Sequence, residues 1–301
     1  MGRFGSFRAS RVFLAGFTGA LVLALFAAPA LAGATWVSGA RNNDDTQPFA
    51  SWRGTRLGVI SGWIDWRQGW GGMETYAAGP MPRVLRAKSA NVSFGHGLFP
   101  QGGSIPVCAG GSYDEPQRRV ARLLAANGVG DAEIRLGWEA SGNWFPWSAA
   151  GVPPEQWKAC FTRVARAMKS VAPHLRIGWF MAKKGRVDVR TIYPADAPIT
   201  NIGISHYDDA YDRFGYETYL GGPWGLRAWL AFARAKGKRF ALGEWGVGRA
   251  DDNPAYIRDM YDFLREAGPM IAHEAYFNTG TYRLFPVTTN PRSSALYREL
   301  F

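Results

Sequence analysis

The chain has 301 residues, a formal net charge of +11 at pH 7 and 47% hydrophobic residues. This length and apolar content suffice for one large packed domain, and they exclude a chain that is disordered over most of its length. Two cysteines and four histidines exclude a disulfide-rich scaffold and a four-cysteine zinc site. Because no HxxxH or HExxH spacing occurs, we expect no histidine-based metal centre.

Residues 1–32 have the features of a secretory signal peptide. Three arginines precede an apolar run that ends in an Ala-Leu-Ala cleavage motif at residues 30–32. The run is near the lower length limit for a membrane-spanning helix, so an uncleaved anchor is the alternative. We therefore expect one domain over residues 33–301, secreted or periplasmic, without stable membrane association after cleavage.

Eight apolar segments predict β-strands, and several are continuous apolar runs, as in parallel strands covered by helices. In chain order they are residues 34–38, 57–63, 90–98, 132–138, 175–181, 201–207, 239–245 and 270–277. Helical patterns occupy the segment that Asp114 opens and Gly128 closes, residues 153–171, residues 225–237, the segment that begins at Asn253, and residues 293–301.

This alternation implies right-handed βαβ units. Eight such units in residues 33–301 fit an α/β fold of the (β/α)₈ TIM-barrel type, which usually has about 250 residues. A doubly wound open sheet is the alternative. It is disfavoured because no GxGxxG or P-loop motif follows a predicted strand.

The cysteines and the charge limit the partners. Cys108 lies in a Gly-rich loop and Cys160 on an amphipathic helix, so export predicts a single disulfide, with two buried thiols as the alternative. The positive charges are dispersed, whereas nucleic-acid binding needs a clustered stripe, and we expect no nucleic-acid partner. The charge suits either an acidic polysaccharide or a soluble cationic surface.

Two glutamates follow predicted strands at the end of a barrel where catalytic groups lie. Glu139 comes after the fourth strand and Glu244 ends the seventh. A lone carboxylate after an apolar run is costly without a partner or a task, and a helix cap or a salt bridge is the structural alternative. Paired carboxylates are the minimum for glycoside hydrolysis, so we predict that both are catalytic.

Tryptophans flank both glutamates. Trp144 and Trp147 follow Glu139 in a loop rich in Gly, Asn, Ser and Pro, and Trp245 follows Glu244. Indole rings stack on the apolar faces of sugars, so we predict that these three bind substrate, with core packing as the alternative.

Other strand ends supply further candidates. His206 and Tyr207 end the sixth strand, where Tyr207 is predicted to hydrogen-bond and align Glu244. Arg135 lies four residues before Glu139, so both side chains are expected to point into the barrel. The remaining predicted substrate-binding residues are Trp179 on the fifth strand and Phe277 on the eighth.

The motifs IRLGWEASGNWFPW and ALGEWGV resemble glycoside hydrolase family 26 of clan A, especially a divergent bacterial branch. QPFASWRG, the segment around GGSYD, and EAYFN also resemble stretches of this branch, so the likeness covers nearly all of residues 33–301. The family consists of (β/α)₈ barrels that are retaining endo-β-glycanases. Most are β-1,4-mannanases, and others are β-1,3-xylanases and mixed-linkage glucanases.

The resemblance implies a role for each matching residue. It implies that Glu139 is the acid/base, that Glu244 is the nucleophile and that Tyr207 positions the nucleophile. Arg135 matches an arginine that precedes the acid, and Trp144 and Trp147 match an aromatic pair that follows it. No metal or organic cofactor is implied.

Two positions depart from the mannanases of this family. Trp138 stands where His usually precedes the acid/base, and Ser141 stands where Asn usually follows it. Both are predicted to border the reacting sugar. The sequence therefore leaves the substrate open between a β-mannan and a bacterial exopolysaccharide, which is either neutral or acidic.

The sequence thus predicts a monomeric retaining endo-β-glycanase that acts on a polysaccharide. A non-catalytic glycan-binding barrel is the alternative, although binding alone does not need two glutamates. A polysaccharide lyase with His206 or Tyr207 as its base is a third possibility.

Overall fold

The computed structural model describes residues 1–2, 34–183, 185–208, 220–222, 224–248 and 252–301. The predicted signal peptide, residues 1–32, lies outside the described residues except for its first two. The unit formed by the later residues contains a closed barrel of eight parallel strands in which each strand pairs with the next and β8 pairs with β1. The predicted TIM-barrel fold is confirmed.

The eight strands correspond to the eight predicted segments. They are β1 (Ser38–Arg41), β2 (Val59–Trp63), β3 (Asn91–His96), β4 (Glu133–Leu136), β5 (Arg176–Ala182), β6 (Ile199–Asp208), β7 (Arg239–Val247) and β8 (Ile271–Tyr276).

The described residues form nine α-helices. They are α1 (Thr46–Arg53), α2 (Gly69–Ala78), α3 (Met81–Lys88), α4 (Ile105–Ala109), α5 (Asp114–Leu124), α6 (Pro154–Val171), α7 (Leu226–Ala235), α8 (Pro254–Ala267) and α9 (Pro291–Leu300). Local sequence explains several boundaries. The Asn253 side chain accepts a hydrogen bond from Tyr256 N at 3.3 Å and caps α8, which Pro254 opens.

The first strand lies further along the chain than predicted. Residues 34–37 precede it, and Trp36 packs against Tyr261 and Phe301. The paired residues Ser38–Arg41 are small or polar, and a Cβ at Gly39 would lie only 1.9 Å from Val59 O. The apolar pattern therefore marked the packing segment instead of the strand.

The fourth strand ends earlier than predicted. Its pairing with both neighbours stops at Leu136, and Gly137 then has a φ of 55°. Glu139 is therefore on a turn just beyond the strand, and the two-residue alternation used to orient it does not apply there.

Phe180 fills the middle of the barrel. A Cβ at Gly178, Gly203 or Gly243 would lie between 2.2 and 2.8 Å from its ring. These glycines on β5, β6 and β7 provide the space that the large ring needs. The ring also stacks on His273 of β8, with centroids 6.1 Å apart.

A buried polar cluster around Glu133 lies near the N-terminal ends of the strands. Glu133 Oε1 accepts from Asn201 at 2.7 Å, and Oε2 accepts from Ser93 at 2.8 Å. His273 Nε2 lies 2.5 Å from Oε2. Since these residues belong to β3, β4, β6 and β8, the cluster ties opposite sides of the barrel together.

Cys108 of α4 and Cys160 of α6 form a disulfide, with Cα atoms 5.0 Å apart. It joins two helices through cysteines that are 52 residues apart in the chain. Among the described residues, no helix combines the length and apolar character needed to cross a bilayer.

Candidate active site

Three donors from three other strands converge on the carboxylate of Glu244 on β7. Arg135 Nη1 lies 2.6 Å from Oε1, and Trp63 Nε1 donates to the same oxygen at 3.2 Å. The Tyr207 hydroxyl donates to Oε2 at 2.7 Å. With only 5% of Glu244 exposed, these contacts fix the direction in which the carboxylate points.

Arg135 is the most deeply buried residue among those that contact Glu244. It is completely inaccessible to solvent, and its Nη2 donates to Gly62 O at 3.2 Å. Its guanidinium also lies 5.2 Å from the centre of the Trp63 ring. Arg135 therefore links β2, β4 and β7 directly below the carboxylate of Glu244.

Glu139 sits on a backbone conformation that is unusual for its residue type. Its φ is 57°, in the left-handed region that costs a non-glycine residue roughly 1–2 kcal/mol. Its N–H donates to Phe180 O at 2.8 Å, and its carbonyl accepts from Gly142 N at 2.9 Å. These two bonds hold a strained turn that turns the side chain towards the mouth of the barrel.

The environment of Glu139 favours its protonated form. Burial raises the pKa of Glu139, the nearby charge of Glu244 raises it further, and the resulting pKa is about 7. Hydrogen bonds from Ser205 and from Trp144 Nε1, the latter at 2.8 Å to Oε2, act in the opposite direction. Glu139 thus has the properties of a general acid that works near neutral pH.

The two glutamates therefore differ in their surroundings. Glu244 accepts three hydrogen bonds, one of them from a guanidinium, whereas burial and the charge of Glu244 raise the pKa of Glu139 to about 7. Such a difference is how paired carboxyl groups acquire separate acid and nucleophile roles.

Aromatic rings line the mouth. Trp144 is 51% exposed beside Glu139. On the Glu244 side, the partly exposed Phe277 packs at 5.7 Å from Trp63 and 5.5 Å from Tyr207, and Tyr282 packs at 4.5 Å from Tyr207. Aromatic rings on both sides of the mouth can therefore contact the apolar face of a sugar ring.

Four predicted substrate contacts are wrong because their side chains are fully buried: Trp147, Trp179, His206 and Trp245. Three of them sit on strands beside an inward-facing residue, so strand alternation turns them outwards. His206 Nδ1 lies 2.7 Å from Tyr256 OH on α8, and Trp179 packs at 5.9 Å from Trp229 on α7. The lyase alternative therefore loses His206 as a base.

The other two of these four residues, Trp245 and Trp147, hydrogen-bond residues beside the site. Trp245 Nε1 donates to Glu274 Oε2 at 2.5 Å. Trp147 Nε1 donates to Trp138 O at 2.9 Å. Their role is to hold the segments that carry Glu244 and Glu139.

Trp138 and Ser141, predicted to border the reacting sugar, are buried as well. Trp138 is 3% exposed and packs 4.7 Å from Phe145 and 4.6 Å from Trp147. Ser141 Oγ accepts from Ala182 N at 3.0 Å and fastens the Glu139 loop to β5. Both contact protein instead of the open mouth.

The predicted residues that the structure does bring to the mouth are Glu139, Trp144, Tyr207, Glu244 and Phe277. Arg135 is wrong as a predicted substrate contact, because it is fully buried and bonds the Glu244 carboxylate and Gly62 O instead. Sequence reasoning missed Arg41, Trp63 and Ser205. Trp63 closes a predicted strand, so the strand-end rule would have found it. Arg41 escaped the rule because the predicted first strand stopped at residue 38.

Among the described residues, no group of three or more His, Cys, Asp and Glu side chains is arranged to hold a metal ion.

The chain matches no protein-family model and no curated protein sequence. It does match solved structures of family 26 enzymes. The mannanase BCman of Bacillus subtilis is 15% identical, with a TM-score of 0.59 over 87% of this chain and 84% of the other. GH26C of a Muricauda species is 14% identical, with a TM-score of 0.63 over 90% and 86%.

A modular endo-β-1,4-mannanase of Cellulomonas fimi, from glycoside hydrolase family 26, is 17% identical, with a TM-score of 0.61 over 86% of this chain and 70% of the other. These identities are low, and the likeness extends over the whole barrel. In fold, this chain therefore resembles the mannanases of glycoside hydrolase family 26, as its two glutamate motifs predicted.

Proposed function

We propose that this protein is a retaining endo-β-glycanase that hydrolyses a polysaccharide, either a β-mannan or a bacterial exopolysaccharide. The observation that carries this proposal is the unequal pair of glutamates. Glu244 is oriented by Arg135, Trp63 and Tyr207, while the pKa of Glu139 is raised to about 7. The fold shared with family 26 mannanases supports it.

In the first step, the protonated Glu139 donates its proton to the glycosidic oxygen as the bond to the anomeric carbon breaks. Glu244 attacks that carbon and forms a covalent glycosyl-enzyme. In the second step, Glu139 takes a proton from a water molecule, which attacks the same carbon and releases Glu244. Retention by this route requires the two carboxyl groups to be about 5–5.5 Å apart.

The surrounding residues make each step easier. Arg135, Trp63 and Tyr207 keep the Glu244 carboxylate aimed at the anomeric carbon, which lowers the cost of reaching the attacking geometry. Trp144 holds one oxygen of Glu139 and offers an exposed indole face to a sugar. No metal or organic cofactor takes part in this mechanism.

We place the enzyme outside the cytoplasm, secreted or periplasmic and released from the membrane after signal cleavage. The sequence of residues 1–32 and the Cys108–Cys160 disulfide support this location. We further propose a monomer whose partner is a polysaccharide and not a nucleic acid.

The test is hydrolysis of a panel of β-glycans by the wild type, Glu139→Gln and Glu244→Gln, with reducing ends as the readout. Glu244→Gln should abolish hydrolysis while glycan affinity stays nearly unchanged, and Glu139→Gln should slow it by about 10²–10⁴-fold. Proton NMR of the first product should show the β-anomer.

Binding without hydrolysis by the wild type would instead identify a glycan-binding barrel. An α-anomeric first product would overturn the retaining mechanism. Trp179→Phe, a change outside the barrel mouth, is the matched control and should hydrolyse as the wild type does.

A further inference from the structure

Arg41 closes β1 at the same end of the barrel as the two glutamates. Its guanidinium packs against two aromatic rings, 5.1 Å from the centre of the Trp63 ring and 4.6 Å from that of Phe277. Both rings also belong to the Glu244 side of the mouth, since Trp63 donates to Glu244 itself. The cation is therefore held in a defined place beside the candidate nucleophile.

This cation forms no direct ion pair in the part of the chain that the structure describes. None of the ion pairs among the described residues includes Arg41, and its buried Nε has no hydrogen-bond partner. Glu244 is near enough to interact with Arg41 electrostatically, but its oxygens already accept from Arg135, Trp63 and Tyr207.

The comparison with Arg135 shows what is unusual. Arg135 is wholly buried and is bonded to Glu244 and to Gly62 O, so its position is explained by the protein itself. Arg41 is only partly buried, and burial lowers the pKa of its guanidinium, with the charge of Glu244 opposing the change. A partly desolvated guanidinium that lies beside the Trp63 and Phe277 rings and forms no ion pair among the described residues is suited to bind an anion from outside.

We propose that Arg41 binds a carboxylate of the substrate, so that the glycan is acidic and its charged residue occupies the subsite formed by Arg41, Trp63 and Phe277. This inference rests on the proposed function. A guanidinium pairs with a carboxylate through two parallel hydrogen bonds, and low local polarity strengthens them. Contact with the two aromatic rings limits the movement of the guanidinium.

A neutral sugar in that subsite would leave Arg41 covered and unpaired, which is costly. Residues 33–301, without the three arginines of the predicted signal peptide, carry a formal charge of 11 − 3 = +8, which also favours the approach of a polyanion. A uronic acid and a carboxylate-bearing substituent, such as a pyruvate ketal, offer the same chemistry, and the experiment separates these two sources.

The experiment compares substrates that differ only in charge. The first pair consists of a β-linked glycan that contains uronic acid and the same glycan after reduction of its carboxyl groups. The second pair consists of a pyruvylated β-glycan and the same glycan after mild acid has removed the pyruvate ketal. The variants are Arg41→Gln, Arg41→Lys and, as a control with the same charge change, Arg265→Gln, whose arginine pairs with Asp262 at 3.1 Å on α8.

The wild type should prefer the acidic member of one pair, and Arg41→Gln should reduce that preference in kcat/KM by about 10- to 100-fold. Arg41→Lys should retain part of it, and Arg265→Gln all of it. Thermal unfolding of each variant shows that it is folded. The pair that responds identifies the source of the carboxylate.

A preference of the wild type for the neutral members would overturn the proposal. An equal loss of kcat/KM on both members of each pair in Arg41→Gln would also overturn it, because Arg41 would then act only on Glu244. Calorimetric titration of the same oligosaccharides into Glu139→Gln gives a second readout that needs no turnover. Acidic oligosaccharides that bind no tighter than reduced ones, or none that bind, would also overturn it. Failure of the hydrolase proposal shows separately, as binding of these glycans by the wild type without hydrolysis of any of them.

Discussion

Ser205 and Tyr207, two residues apart on the inner face of β6, each hydrogen-bond a different glutamate at the mouth of the barrel. Ser205 bonds Glu139, and Tyr207 donates to Glu244 at 2.7 Å. Because side chains two positions apart on a strand share a face, one rigid strand sets the positions of both carboxyl groups.

The first prediction concerns the pH dependence of hydrolysis. A pKa of about 7 for Glu139 means that the protonated acid is lost above neutrality, so kcat/KM should fall tenfold per pH unit above about 7. An aryl glycoside with a good leaving group needs little protonation of that group by Glu139. Its pH profile of kcat/KM should therefore lack the fall in activity above pH 7. If the activity on the polysaccharide already falls with rising pH at pH 4–5, the assignment of Glu139 as the acid is contradicted.

The second prediction concerns Trp144, whose indole N–H bonds Glu139 Oε2. That bond lowers the pKa of Glu139. Trp144→Phe removes the donor and keeps an aromatic face, so the basic limb of the pH profile should move to higher pH. Trp66→Phe, a tryptophan packed 5.9 Å from Phe145, is the control. An unmoved limb in Trp144→Phe would show that the bond is absent in solution.

The third prediction concerns stability. The pKa of folded Glu139 lies above the ordinary value of 4.5, so its contribution to stability is full below pH 4.5 and is lost as pH rises through 7. Glu139→Gln imitates the protonated form. It should unfold about 2–4 °C above the wild type at pH 8, and the difference should shrink towards pH 5. A variant less stable than the wild type at pH 8 would contradict this.

The fourth prediction concerns Tyr207, the donor to Glu244 Oε2. Tyr207→Phe should lower kcat by about 10- to 100-fold through the loss of one charge-assisted hydrogen bond, with little effect on unfolding. Trp179→Phe should show the reverse, because Trp179 packs among residues outside the barrel. An unchanged kcat in Tyr207→Phe would show that Arg135 and Trp63 suffice to orient Glu244.

The fifth prediction concerns Glu133 in the lower barrel. Burial by itself would raise the pKa of Glu133, but the charge and hydrogen bond of His273 and the bonds of Asn201 and Ser93 outweigh it and lower the pKa to about 2. Its contribution to stability is therefore present above pH 4.5 and lost as pH falls through 2.

Glu133→Leu leaves His273 without its partner and should cost about 3–5 kcal/mol near neutral pH. Urea unfolding should show this cost shrinking as the pH is lowered from 5 to 3. A cost that does not depend on pH would mean that packing, and not charge, holds the cluster.

The strand-end rule found most of the site but not all of it. Each of the eight predicted apolar segments corresponds to a strand, and the two glutamate motifs were recognisable in the sequence. Arg41 was missed because Ser38–Arg41 has no apolar pattern. Trp179, His206 and Trp245 were assigned to the site because a sequence does not say which alternate residue of a buried parallel strand faces inwards when both faces are covered.

By itself, the sequence determined that eight βα units form one domain and that two glutamates follow the fourth and seventh strands, because apolar periodicity and strand ends are local features of a chain. Only the tertiary structure decided which side chains reach the mouth, why Glu139 and Glu244 differ, and that Arg41 lies beside Trp63 and Phe277 without an ion pair among the described residues. Those properties come from contacts between strands far apart in the chain and from the loss of water around them, and no local pattern encodes either.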